Sequence, residues 1–244
     1  MRIVQRGLRA RRLVATAAAL AVTATFATAV PLSQAVDAAP NPLRGKTTTH
    51  TLDIADDGSY SVQMATEVDL ALETTWSFGG DIHDGFRLPD TDSLLPPYLR
   101  AHYSNPQGTI DSTPADATIE SEMHSVDIGF STDELAGGSH RGVLDYEVAG
   151  AAMPAANVYG DEDRGVVVYF RPLDRGDLVI ESAAPITAVD CEVFSPYGEP
   201  CGEKKGDGWT VSGEDLLHDH TVIDAVRITI DVDPKSLPTP EIDS

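Results

Sequence analysis

The fold is decided by four runs between residues 142 and 201: GVLDYEVAG (142–150), RGVVVYFRP (164–172), DLVIESAAP (177–185) and ITAVDCEVFSPYGEPC (186–201). Val, Ile, Tyr and Phe are frequent in these runs, and Gly, Pro and Asp separate them. Short segments rich in β-branched and aromatic residues, bounded by turn-forming residues, are typical of β-strands. We therefore expect an all-β chain.

A second strand signal lies upstream, between residues 52 and 70. Leu52 and Ile54 alternate with polar neighbours, and the same parity resumes after Asp57-Gly58 and continues to Leu70. Alternation with a period of two predicts half-buried strands, and Asp-Gly supplies the positive-φ residues that a tight hairpin needs. The sequence therefore predicts an antiparallel hairpin here.

Similar strand patterns recur along the rest of the chain. The predicted strands are 119–123, 126–130, 144–148, 165–170, 178–180, 186–194, 209–211 and 226–232. The run 165–170 is apolar throughout, as expected for a central strand that is covered on both faces. With eight or nine short strands and no long helical pattern, we predict an antiparallel β-sandwich, immunoglobulin-like or jelly-roll-like, over residues 49–233. Residues 40–48 are predicted to be a linker, and 234–244 a Pro-rich tail.

The first 39 residues have the composition of an export signal. Residues 1–12 contain five arginines and no acidic residue, residues 13–30 are uncharged and apolar, and small residues follow up to Ala39. This order predicts a signal peptide over 1–39. The apolar run is also long enough for an uncleaved membrane anchor. We expect an extracytoplasmic protein, secreted or associated with the cell envelope, that meets the membrane only if this segment is retained.

The charge balance restricts the partners. The chain has 17 Lys and Arg residues against 39 Asp and Glu residues, a formal net charge of −22. Such a field repels phosphate backbones, so nucleic-acid binding is not expected. The acidity favours solubility, and cationic partners or divalent metals are the alternatives that it leaves open.

Cys191 and Cys201 are the two cysteines of the chain. In an exported protein such a pair predicts a disulfide. Closing this short loop stabilises a fold by about 3 kcal/mol on the chain-entropy model. A redox role would need a closer pair or an electropositive environment, so we predict a structural disulfide.

Residues 71–116 show no sustained period and are rich in Gly, Pro, Asp and Asn. We predict a loop with short strand fragments, which caps one end of the sandwich. The alternative is a binding site, because the segment contains enough aromatic and imidazole groups to line one. These groups are Trp76, His83, Phe86, Tyr98, His102 and Tyr103.

His218 and His220 are the candidate metal ligands. In an extended segment they share one face, the spacing with which a strand presents two ligands to zinc. A complete site needs a third protein ligand, for which His124, His140 and Asp224 are the candidates. The alternative for this pair is a solvated loop.

Two other residue patterns imitate catalytic groups. Ser139 precedes His140 directly, but adjacent residues of a strand point to opposite faces and the surrounding sequence is not a nucleophile elbow. Acidic pairs such as Glu120 with Glu122, or Asp161 with Asp163, imitate a glycosidase dyad. Chance pairs are expected in so acidic a chain, and dyad spacing is a three-dimensional property.

From about residue 48 to residue 233 the chain resembles the extracytoplasmic domain of the YciQ-like family of predicted bacterial membrane proteins of unknown function. The matching pieces are Asp57-Gly58-Ser59, Gly85-Phe86-Arg87-Leu88-Pro89, Ile128-Gly129, Gly138-Ser139-His140, Tyr146, Val148, Gly150-Ala151, Val189-Asp190-Cys191, Gly198 and Cys201. Unlike that family, the run 165–170 contains no tryptophan. The resemblance implies a β-domain linked to a membrane and supplies no catalytic residues.

Two functional hypotheses follow. The first, which we prefer, is a non-catalytic module of the cell envelope or exterior that binds a protein or glycan partner through its loops and has no catalytic, cofactor or metal site. The second is a secreted metal-dependent enzyme that uses His218 and His220.

Overall fold

Strands dominate the computed structural model, which describes residues 43–83, 101–122, 125–159, 165–192, 198–218, 221–222 and 225–238. The strands are β1 (Leu43–Ile54), β2 (Tyr60–Leu70), β3 (Ser77–His83), β4 (His102–Ile110), β5 (Thr113–Ala115), β6 (Thr118–Glu122), β7 (Ser125–Ser131), β8 (Gly138–Ala149), β9 (Ala152–Pro154), β10 (Val166–Phe170), β11 (Asp177–Ser182), β12 (Ile186–Glu192), β13 (Glu199–Pro200), β14 (Glu203–Lys205), β15 (Gly208–Val211), β16 (Leu217–His218), β17 (Thr221–Val222) and β18 (Ala225–Ile230). The described residues also form a four-residue helix, α1 (Ala156–Tyr159), and a 3-10 turn (Pro234–Ser236). No helix within the described ranges is long and apolar enough to cross a membrane.

One large sheet forms the first layer of the fold. Its eight strands run in the order β14-β15-β11-β1-β2-β8-β4-β5. Neighbouring strands are antiparallel except β1 and β11, which pair in parallel from Thr49 opposite Asp177 to Ile54 opposite Ser182. The chain reaches β11 only after it has passed through β10 in another sheet, and a crossover of this kind allows a parallel pair.

Two smaller sheets form the second layer. One has the order β13-β12-β18-β10-β9 and the other β3-β7-β6. Phe170 of β10 packs edge-on against Tyr60 of β2, and the Tyr60 hydroxyl donates to the backbone carbonyl of Tyr169 at 2.9 Å. At the other smaller sheet, Phe78 of β3 lies directly over Gly142 of β8, where any added Cβ would overlap the ring. The predicted all-β sandwich is therefore confirmed.

The core lies between these layers. The inward residues of β1, β2 and β8 alternate with exposed ones, which is the period-two pattern of the sequence. Every residue of β10 is buried, as predicted for a strand covered on both faces. Every residue of β18 is buried as well, although its sequence alternates apolar residues with Arg227 and Thr229. Apolar burial of this kind is the main stabilising contribution to the fold.

The predicted hairpin at Asp57-Gly58 is confirmed. The Ala55 amide donates to the Ser59 carbonyl at 2.9 Å, and Gly58 has a φ of +76°. The Asp57 carboxylate accepts from both the hydroxyl and the backbone amide of Ser59, and these two hydrogen bonds hold the pKa of Asp57 below its usual value. Asp57 is therefore a turn-forming residue, as an Asx turn requires.

Two predicted boundaries are corrected. β1 begins at Leu43, inside the predicted linker 40–48, because Leu43 pairs with Leu70 at the far end of β2. Within the predicted loop 71–116, β4 is a nine-residue strand whose alternation is interrupted by a bulge between Ser104 and Gln107. The predicted signal peptide, residues 84–100 and residues 239–244 lie outside the described ranges.

The predicted disulfide between Cys191 and Cys201 is present, with a Cα–Cα distance of 5.7 Å. Cys191 lies in β12 of the five-stranded sheet, and Cys201 lies between β13 of that sheet and β14 of the large sheet. The indole N–H of Trp209 in β15 donates to the Cys201 carbonyl at 3.0 Å. The disulfide therefore fixes the point at which the chain crosses from one layer to the other.

Candidate functional site

The outward face of the eight-stranded sheet carries a shallow depression of about 350 Å³. We call it the outer depression. Its lining comes from β1, β2, β4, β8 and β11, and its side chains are mainly carboxylates, amides and hydroxyls. These side chains occupy the strand positions that alternate with the core residues, so the hydrophobic core orients them toward solvent.

Strand register places the polar groups of the outer depression in two adjacent rows. In the first row, Asp53 of β1 lies between Glu181 of β11 and Ser61 of β2, and Ser61 is opposite Glu147 of β8. The second row is one pleat further along the strands. It contains Thr51, Gln63, Asp145 and Gln107, each opposite the next.

Two amide–carboxylate hydrogen bonds fix side chains in these rows. Gln63 donates from Nε2 to Asp145 Oδ1 at 2.9 Å, and Asn105 donates from Nδ2 to Glu147 Oε2 at 2.6 Å. Asn105 has a φ of +54° in the β4 bulge, a conformation that Asn tolerates better than most residues. Each carboxylate keeps further lone pairs, and each amide keeps its carbonyl oxygen, so the fixed groups offer acceptors to a ligand.

A second fixed polar arrangement joins His140 of β8 to Asp111, in the turn between β4 and β5. His140 Nδ1 lies 2.8 Å from Asp111 Oδ2, and His140 Nε2 lies 2.8 Å from the Ala136 carbonyl oxygen. Asp111 also accepts from the Arg141 amide at 2.9 Å. Both ring nitrogens lie beside acceptors, so this arrangement stabilises the protonated form of His140, in which both nitrogens donate. It therefore has no free nitrogen with which to activate Ser139 or to complete a metal site.

The pair predicts opposite pKa shifts. The hydrogen bond to Asp111 raises the pKa of His140, and hydrogen bonds from the Arg141 amide and His140 lower that of Asp111. The stabilisation from His140 is therefore present below its unfolded pKa near 6.5 and is lost as the pH rises through the raised value. The Asp111 contribution is present above its unfolded pKa and is lost as the pH falls through the lowered value. Because the Asp111 side chain is 50% exposed, solvent screens the pair, and we expect an effect on stability below about 1 kcal/mol.

An NMR titration of the His140 ring checks this assignment. We expect a midpoint above 6.5 in the wild-type protein and a midpoint closer to 6.5 in Asp111→Asn, which retains the shape but not the charge. Glu67→Gln, which leaves the pair intact, is the matched control. Equal midpoints in the wild type and Asp111→Asn would show that the pair does not form.

The predicted metal ligands are only partly described. The backbone of His218 pairs with Thr221 in the small β16–β17 ladder, whereas His220, His124 and Asp224 lie outside the described ranges. Among the residues that the structure does describe, no three His, Cys, Asp or Glu side chains come together as a metal site. The His218/His220 site stays a prediction.

Among the described residues, the acidic pairs that resemble a glycosidase dyad do not line the outer depression. Glu120 and Glu122 share one face of the strand β6, and Asp161 and Asp163 lie outside the described ranges. The sequence did not predict the outer depression. The polar residues of β1 and β2 served only to establish the alternation with buried residues, and they were not considered as a binding surface.

No protein-family model matches the chain, and no curated protein matches it. Among solved structures, a Legionella pneumophila protein described as nutrient binding aligns with a TM-score of 0.40 at 10% identity, over 75% of this chain and 66% of that one. LTA4 hydrolase from yeast in complex with bestatin aligns with a TM-score of 0.39 at 9% identity, over 76% of this chain and 29% of that one. An M1 zinc metallopeptidase from Deinococcus radiodurans gives 0.35 at 9% identity, over 77% and 42%.

These alignments span less than two thirds of the length of each of the three proteins. At TM-scores below 0.5, the likenesses carry no argument about what this chain does.

Proposed function

We propose that this protein is a non-catalytic module of the cell exterior that binds a protein or glycan partner on the outer depression. The observation that carries the proposal is the pair of hydrogen bonds, Gln63 to Asp145 and Asn105 to Glu147, which hold four polar side chains in place on a solvent-facing sheet. Fixed acceptors lose little side-chain entropy when a ligand donates to them, and this favours binding.

The proposed location has two supports. One is the disulfide between Cys191 and Cys201, because disulfides form and persist in oxidising compartments. The other is the signal-like composition of residues 1–39. The proposal differs from the sequence expectation in one respect, since the partner is held by side chains of strands rather than by loops.

The partner class is set by the chemistry of the lining. The outer depression offers carboxylate and amide oxygens together with hydroxyls such as those of Thr51 and Ser61. Sugar hydroxyls, peptide N–H groups and basic side chains can all donate to these acceptors. Phosphorylated ligands and nucleic acids are disfavoured by the carboxylates and by the net charge.

Binding of the protein to an array of immobilised oligosaccharides and peptides tests the proposal. The purified full-length chain is applied to defined neutral oligosaccharides, amino-sugar oligosaccharides and peptides with and without lysine. We expect at least one class to bind. The double variant Asp145→Asn/Glu147→Gln retains the side-chain shapes but removes two charges, and we expect it to weaken that binding at least about tenfold, because two charge-assisted acceptors are lost.

Glu67→Gln is the matched control. Glu67 lies on the same face of β2 but outside the outer depression, and its contact with Arg141 at 3.8 Å is between exposed groups. We expect this variant to bind like the wild type. Equal binding by the double variant would place the site elsewhere, and a wild-type protein that binds no member of the three classes would refute the proposal.

A further inference from the structure

A histidine lies in the interior of the sandwich without a partner. His50 of β1 is fully buried and faces the ring of Phe170 across the layers, at a centroid distance of 5.9 Å. Neither Nδ1 nor Nε2 makes a hydrogen bond. A backbone group of Asp177 is close enough to favour the charged ring slightly, but it does not meet hydrogen-bond geometry. A buried polar group left in this state requires an explanation.

The surroundings of His50 suit only the neutral ring. Its register neighbours, Met64 of β2 and Leu178 of β11, carry no charge, and neither does Phe170 of β10. The charged groups that act on it are Asp174 and Lys46, which form an ion pair with each other.

The Asp174 carboxylate is also engaged by the Thr48 hydroxyl at 3.2 Å, and the same hydroxyl lies 3.2 Å from that of Thr66. A protonated His50 would therefore have no free counter-ion within the closed core. Burial, the largest influence, lowers the pKa of His50 to about 4.

The connection from β10 to β11, residues 171–176, packs on β1 at Thr48, which lies two residues before His50 on the same buried face of the strand. It contains Asp174 and ends at Gly176, which is packed so closely on β1 that an added Cβ would lie 2.2 Å from the Thr48 carbonyl oxygen. Separation of this connection from β1 at Thr48 would open a path for water toward a charged His50.

We propose that His50 makes the contact between the two layers acid-sensitive: its protonation favours a state in which residues 171–176 lift from β1 and admit water to the ring. This inference is independent of the binding function proposed above. It assigns to the interior of the domain a local opening that responds to the pH of the surrounding solution.

The size of the response follows from linkage. An opened His50 takes up a proton below about pH 6.5, whereas the closed one does so only near pH 4, so the closed state loses stability as the pH falls between these values. From pH 7.5 to pH 5.0, the closed-to-open equilibrium constant is expected to fall roughly 30-fold. Carboxylate titration contributes mainly at lower pH, and the His140–Asp111 pair acts in the opposite direction.

Hydrogen exchange of the full-length protein at pH 7.5, 6.5, 5.5 and 5.0 tests the proposal. After correction for intrinsic exchange rates, we expect protection of β1 and of residues 171–182 to fall roughly 30-fold in the wild type. We expect a fall of less than about threefold in His50→Met, which conserves volume but cannot be protonated. His50→Leu provides the same readout if the methionine variant does not fold.

His140→Gln is the control, because it removes a second histidine of the same sheet, one that lies outside the core, and it should keep the wild-type response in β1. The proposal is overturned if protection of β1 in the wild type is independent of pH over this range. It is also overturned if a folded His50 variant shows the wild-type fall.

Discussion

Truncation of Phe170 to alanine is expected to lower the free energy of unfolding by about 3–5 kcal/mol. The ring is fully buried in β10, the strand of the second layer that is covered on both faces, and it contacts both His50 and Tyr60 of the large sheet. Its removal deletes apolar contacts in both directions and leaves a cavity between the layers that neighbouring strands cannot fill. Urea denaturation at pH 7.5 measures the loss as a change in midpoint at constant slope.

Leu72→Ala is the matched surface control for this measurement. Leu72 is 38% exposed, so its truncation should change stability by less than about 0.5 kcal/mol. Phe170→Leu, which retains most of the buried volume, should fall between the two. A loss below about 1.5 kcal/mol for Phe170→Ala would show that this ring does not join the layers.

The buried position of Phe170 could be predicted from the sequence, because a strand that is buried on both faces has a continuous apolar run. A strand that is covered on one face alternates, as β2 does, whereas the run 165–170 does not alternate at all. The hairpin at Asp57-Gly58 was equally accessible, since its turn chemistry is local.

Other features left no such trace. Residues 43–47 of β1 are largely exposed, so they lack the apolar period by which a strand is recognised. In β4, Pro106 and Gly108 fall within the strand and a bulge shifts its register, so that the alternation is broken where the pairing is intact. Local patterns under-predict strands of both kinds.

The outer depression could not be predicted because it depends on which strands become neighbours. Asp53 and Glu181 are adjacent only because β1 pairs in parallel with β11, far along the chain. Ser61 meets Glu147 through the pairing of β2 with β8, which is likewise non-local. Each residue by itself is an ordinary exposed polar position of a strand. Only the topology makes them one surface.

Removal of the disulfide is expected to have the second large effect. The double variant Cys191→Ser/Cys201→Ser should lower the free energy of unfolding by about 3 kcal/mol, because the unfolded chain gains the entropy of a loop that spans ten residues. The loss has a structural counterpart. The bond ties β12 of the five-stranded sheet to the segment that enters β14 of the large sheet, where Trp209 is held by the Cys201 carbonyl.

We therefore expect the double variant to lose hydrogen-exchange protection first over residues 198–211, while β1 and β2 keep theirs. Wild-type protein reduced by a phosphine should match the double variant in urea midpoint, and adding the phosphine to the double variant should change nothing. This comparison separates loss of the covalent link from any effect of the serine side chains. If the midpoint of the wild type is unchanged by complete reduction, the crossover is held by packing alone, and the bond between Cys191 and Cys201 contributes nothing to the stability of the sandwich.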